Sequence, residues 1–223
     1  MSRKPFSFLF LFSLSLLVLG ACQRERRAVN KAGATVLVLI DYQEDFLDPN
    51  GRMPIASNQI EPMLKATNEM VAAARGQLVP VVYTMAEHTP FDMIGNVTRH
   101  YAAMRYESGS TLDPRVDSYA GVYFTKSEPG AFTNPQFEAH LQVLDCGRLV
   151  IAGVYANRAV IATAKQAIAR GYRVTVISDA IGAATEEQRD AALGEMKKDG
   201  VQIESSTDFI ASLAAGSEEK KAG

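Results

Sequence analysis

RLVIAGVYANRAVIATA, residues 148–164, is the stretch that decides the fold. Leu149–Ala152 is an unbroken apolar run, the mark of a strand buried on both faces. Gly153 closes it. Val154, Tyr155, Ala156 and Asn157 then turn into a helix, with Asn157 as its candidate N-cap. In open α/β sheets, ligands bind beyond the carboxyl ends of strands, where the free N–H groups of helix starts face them. Two other stretches end alike. TVLVLID brings Asp41 to a strand tip, and GVYFTK brings Lys126 to another. An acid, a cation and a donor-rich turn at one edge of one sheet describe an active site.

Working outward, strands are expected at 35–41, 79–85, 122–126, 149–154, 173–178 and 201–204. Helices alternate with them. One runs over 58–75, between a candidate cap at Ser57 and a stop at Gly76. Asn134 followed by Pro135 opens another to about Leu144. Gly171 stops the helix after the central turn. Thr185 and Gln188 form a capping-box pattern for a helix ending at Gly200, and a last helix covers 208–213. Residues 86–120 read as long and irregular, a lid or a subunit contact. Six alternating β and α elements predict a three-layer α/β domain, with a six-stranded parallel sheet flanked by helices and right-handed crossovers.

IDYQEDF (40–46), YFTKSEPGAF (123–132) and GVYANRAVIATA (153–164), in this order and each at a strand end, resemble the isochorismatase-like hydrolase superfamily over roughly residues 34–213. The resemblance implies a Rossmann-like strand order 3-2-1-4-5-6 and a non-proline cis peptide between Val154 and Tyr155. It also implies that the N–H groups of Tyr155 and Ala159 face the pocket as an oxyanion-type pair. It makes Asp41 the proton-transfer residue and Lys126 the cation that orients it. Most members carry a nucleophilic Cys where this chain has Ala159, so the acyl-enzyme route is closed here. Members that lack the Cys have a turn reading Gly, aliphatic, Tyr, Ala, His, any, Gly, to which GVYANRA is similar. Asn157 stands where the His would be. In that chemistry the Asp protonates a vinyl-ether carbon and water adds, with no covalent intermediate. The chain departs from that pattern in SEPGAF, which lacks an Arg and a Tyr, and at Met85 and Ala86, where a Gln is expected. The implied function is small-molecule hydrolysis by Asp acid/base catalysis. The alternative is an inactive, lipid-anchored binding protein on a hydrolase fold.

Composition narrows the rest. The chain has 223 residues, 47% hydrophobic and 22% charged, enough for one domain at 34–214. A net charge of −2 gives no nucleic-acid footprint. His88, Glu87 and Asp92 lie in TMAEHTPFDM, which lacks the Asp-x-His spacing of metal-binding relatives, so neither metal nor cofactor is expected. Arg99, Arg105 and Arg158 are candidates for holding a substrate carboxylate. Cys146 reads as a small core or loop thiol. At the start, Arg3 and Lys4 precede a short apolar run, 6–20, and Leu19–Cys22 resembles a bacterial lipobox. That reading makes 1–21 a lipoprotein signal peptide, Cys22 the lipidated residue and 22–33 a tether. With Gln23 after the Cys, it points to the periplasmic side of the outer membrane. A homo-oligomer is expected, and 215–223 reads as a disordered polar tail.

Overall fold

The computed structural model describes residues 29–30, 32–118 and 121–222. The segment expected as a signal peptide, the expected lipidation site at Cys22 and most of the expected 22–33 tether lie outside the described residues.

Strands β1 (Ala34–Ile40), β2 (Val81–Ala86), β3 (Val122–Lys126), β4 (Cys146–Val154), β5 (Arg173–Gly182) and β6 (Gln202–Glu204) form one sheet in the order β3-β2-β1-β4-β5-β6. Every pairing is parallel, as the apolar strand runs require. The helices are α1 (Glu44–Leu47), α2 (Ser57–Gly76), α3 (Met93–Thr98), α4 (Pro135–Val143), α5 (Ile161–Ile168), α6 (Glu186–Lys198) and α7 (Ser206–Ala222). From β1 the chain steps one way through α2 to β2, and from β3 it steps back the other way through α4, α5 and α6. With right-handed crossovers these two directions put helices on opposite faces. In keeping with this, α2 packs on α7, and α5 packs on α6.

The core sits on β1 and β4. Val36–Ile40 and Leu149–Ala152 are buried almost completely, and each large aliphatic there contributes about 1.5–3 kcal/mol over leaving it exposed. Gly153 is what lets these two strands close together at their carboxyl ends. Its φ is +137°, and a Cβ there would stand 2.1 Å from the carbonyl oxygen of Ile40. Only glycine accepts both conditions, and Ile40 is the residue before Asp41.

Several boundaries differ from the sequence reading. β4 starts at Cys146 because residues 146–148 already pair with Ala34 and Thr35 of β1. β5 continues to Gly182 past a register shift opposite Gly153, so DAIG is strand and not loop. Ser57 is the first residue of α2, whose N-cap is Ala56, with no side-chain cap; Gly76 is its last residue. Thr185 does cap α6 by accepting from the Gln188 N–H, but the Gln188 Oε1 accepts from Asn157 instead of reaching back. The 86–120 stretch contains α3, capped by Asp92 accepting from the Gly95 N–H. The last helix does not end near Leu213. The backbone stays helical through Ala222, across the expected tail.

Candidate active site

β1 ends at Ile40, and Asp41 follows with φ +55°. Few residues other than glycine adopt this left-handed region, and Asp is among those that do so most readily. The turn leaves the Asp41 side chain buried beyond the strand. Lys126 is the last residue of β3, two strands away. Its Nζ donates to Asp41 Oδ2 at 2.8 Å, and both side chains are less than a tenth exposed. Burial pushes the Asp41 carboxyl above the usual carboxylate range; the Lys126 ammonium and, more weakly, the Ala86 N–H pull it back down. Asp41 Oδ1 is buried with no hydrogen-bond partner among the described residues. A pair with one oxygen satisfied and one not can hold and hand over a proton.

The third element is the turn after β4. The Val154–Tyr155 peptide bond is cis, as the resemblance implies. Tyr155 has extended backbone, and Ala156–Val160 makes a single π turn before α5. Tyr155, not Asn157, is therefore the residue that caps the turn. Asn157 already lies inside the turn; its exposed amide reaches Gln188 Oε1 at 3.4 Å. The Tyr155 hydroxyl is donated to the Met53 carbonyl, and its ring meets Phe46 edge-on at 5.8 Å. This fixes the turn against the loop before α2.

These parts enclose a cavity of about 210 Å³. Asp41, Lys126, Tyr155 and Ala159 line it, as do His88, Asp92, Arg99 and Arg158. Val154, the buried last residue of β4, and Asn157 do not. Of the arginines proposed for a carboxylate, Arg105 is spent on Glu87 at 2.6 Å and stands outside the cavity. Cys146 opens β4 at the far end of the sheet, its Sγ 3.4 Å from the Arg148 carbonyl, and burial pushes its thiol up to about 12. Ala159 presents a buried methyl group to the cavity.

Two buried side chains that support the site were not singled out from the sequence. Gln43 Nε2 donates to the Ala86 and Ser110 carbonyls, and its Oε1 accepts from the Ala86 N–H, tying the end of β1 to the end of β2. Asp45 accepts from the Ala103 N–H at 2.7 Å and holds the loop beyond α3 over the cavity. Both lie in YQED, which reads as a polar loop until its partners 40 to 70 positions away are known.

Known proteins are similar to this chain in sequence and in fold. The isochorismatase domain model matches residues 35–208. A probable inactive nicotinamidase of Arabidopsis thaliana is 26% identical over 195 residues, covering 81% of this chain and 96% of its own length. A secreted isochorismatase effector of Phytophthora sojae is 27% identical over 192 residues, covering 84% of this chain and 81% of that protein. The crystal structure of a cysteine hydrolase from Pseudomonas syringae superposes with a TM-score of 0.75 at 17% identity, covering 85% of this chain and 96% of that one.

Proposed function

This chain belongs to the isochorismatase family of hydrolases, and from that premise we propose that it hydrolyses a small molecule by proton transfer from Asp41, without a cysteine nucleophile. The observation that supports the reading is the buried Asp41–Lys126 pair with Oδ1 unpartnered among the described residues, facing a cavity that Ala159 also lines. Burial keeps a proton on Asp41 to higher pH than on an ordinary carboxyl. That suits a general acid. With a vinyl ether, the Asp41 proton bonds to the terminal alkene carbon and an oxocarbenium forms. Water adds to the oxocarbenium carbon, the one that bears the ether oxygen, and returns a proton to Asp41. The hemiketal then collapses to a ketone and an alcohol. Lys126 keeps the carboxylate formed midway in place. The N–H groups of Tyr155 and Ala159 are assigned to the substrate oxygen.

The test is pyruvate release from an enolpyruvyl ether, with the native chain and Asp41→Asn compared across pH. The variant is expected to lose about 10²- to 10⁴-fold in kcat/KM. Native turnover should fall as rising pH strips the Asp41 proton. An Asp41→Asn protein that turns over at the native rate refutes the assignment.

A second reading has its own support: Ala159 leaves the cavity without an attacking group, and one relative is called a probable inactive nicotinamidase. On that reading the chain binds a ligand and does no chemistry. Absent turnover of vinyl ethers, amides and esters, with a ligand bound equally well by Asp41→Asn, would favour it. The lipid anchor at Cys22 and the envelope location belong to the same proposal and rest on the sequence alone. The homo-oligomer is proposed with support from Phe91, Met93, Ile94 and Tyr106, large apolar side chains left exposed on and around α3.

A further inference from the structure

One side of the cavity has no role in the proton-transfer reading. His88 lies two residues beyond β2, and its backbone is locked by a hydrogen bond to the Ala103 carbonyl and one from the Arg105 N–H. The residue is 8% exposed, lines the cavity, and its ring has no hydrogen bond to any described residue. Next to it, Arg99 spends one terminal nitrogen on Asp92 (2.6 Å) and Asn96 (2.8 Å), while its Nε is buried without a partner among the described residues. Arg158, inside the π turn, lines the same cavity and makes no hydrogen bond or ion pair with any described side chain. Three nitrogen-bearing side chains thus converge with unspent donors. A buried N–H without an acceptor has lost its bond to water and gained none in return, so a ligand acceptor placed there recovers that loss.

We propose that His88, Arg99 and Arg158 form an anion subsite that takes a carboxylate of the ligand, across the cavity from Asp41 and Lys126. The subsite rests on the functional reading only in sharing its cavity, since it serves a bound ligand whether or not the ligand is hydrolysed. The local charge agrees. Of the cavity's acids, Asp41 is paired with Lys126 and Asp92 with Arg99, and Glu128 stands exposed at the rim. Arg158 is left without a counter-ion on this side. His88 senses the result: burial first, then Arg99, Lys126 and Arg158 against the one opposing charge of Asp92, push its pKa down to about 4. The imidazole is neutral at pH 7, one nitrogen donating and the other accepting. Arginine is suited to the two oxygens of a carboxylate in a fork geometry.

The probes are benzoate and benzamide, equal in shape and different in charge, titrated calorimetrically into the full chain. Benzoate is expected to bind at least tenfold more tightly than benzamide. Arg158→Gln, a change at an exposed side chain without structural partners, should remove most of that preference and leave benzamide binding alone. NMR titration of the His88 ring should show its pKa rising when benzoate is bound, because an anion beside the ring favours imidazolium. Benzoate and benzamide binding equally, benzoate failing to bind, an equal loss of both in Arg158→Gln, or a His88 titration indifferent to benzoate would each overturn the subsite. Asp41→Asn separates this outcome from the functional one. If that variant keeps the benzoate preference and also native turnover, the proton-transfer reading fails and the subsite stands. If turnover is lost in the variant but the native chain shows no preference for benzoate, the reverse holds.

Discussion

Asp41 and Asp145 invite comparison. Both hold left-handed backbone, at φ 55° and 48°, and both border the central strands, Asp41 just after β1 and Asp145 just before β4. They stand at opposite ends of the sheet. Asp145 is exposed, and its carboxylate accepts from the Asn30 side chain at 3.0 Å. Asp41 is buried against Lys126, with one oxygen left over. The surroundings extend the contrast. The carboxyl end of the sheet buries Asp41, Gln43, Asp45, His88 and Lys126. Away from that end the polar partners Arg148, Thr175 and Glu204 bond one another, and burial pushes the Cys146 thiol up. The same residue in the same backbone geometry bonds an exposed amide where water reaches it, and where water does not it is held by a buried ammonium with its carboxyl pushed up, the setting that the proposed proton transfer needs. Burial decides which.

The comparison breaks most sharply if Lys126 is removed. Lys126→Met leaves the Asp41 charge buried with no partner, and losing one member of such a pair costs about 3–5 kcal/mol. Asp41 has an escape: its carboxyl, already raised by burial, rises further and takes a proton. A carboxyl whose folded pKa lies above its unfolded value contributes stability at low pH and loses it as pH rises through the folded pKa. Urea denaturation should therefore find Lys126→Met far weaker than native at pH 8, and closer to native at pH 5. A deficit that does not change with pH would mean that Asp41 is not the group left behind.

How much of this end of the sheet was legible beforehand follows from the range of the interactions. Asp41 and Lys126 each close an apolar strand, a local pattern, and a parallel sheet brings strand ends to one edge. The six strands and the three-layer architecture follow from the same local patterns. Gln43 and Asp45 were not legible, because what defines them is Ala86, Ser110 and Ala103, distant in the chain. Asn157 was misread for a related reason. Its type suits an N-cap, but the tertiary packing of Tyr155 on Phe46 and Met53 starts the turn two residues earlier. Likewise DAIG looks like a loop because of Asp179, which in the structure caps α7 by accepting from Ser206.

His88 sharpens the comparison at intermediate size. Its folded pKa of about 4 lies below the ordinary histidine value of 6.5. A histidine depressed in this way adds stability above its unfolded pKa and loses it as pH falls through the folded one. The loss is thus expected between about pH 6.5 and 4, and is worth roughly 1–3 kcal/mol. His88→Gln should flatten that part of the stability curve measured by urea denaturation. An unchanged slope would show that His88 titrates as freely as an exposed histidine.

The smallest effect belongs to the amino end, and it tests whether any thiol takes part. Cys146 is buried in β4, bonded to the Arg148 carbonyl, and distant in the fold from the cavity that Ala159 lines. With its thiol pushed up to about 12, only about one molecule in 10⁵ carries thiolate at pH 7, and thiolate is the reactive form. Iodoacetamide should leave Cys146 unlabelled over hours in the folded chain and label it readily in urea, as peptide mapping would show. Cys146→Ala should cost about 1 kcal/mol through lost packing, because a small buried group is removed from a close-packed strand. Turnover, wherever it is found, should survive the change. Turnover abolished by Cys146→Ala in a chain that still folds would move the chemistry to the sheet's other end and leave the Asp41–Lys126 pair a structural one.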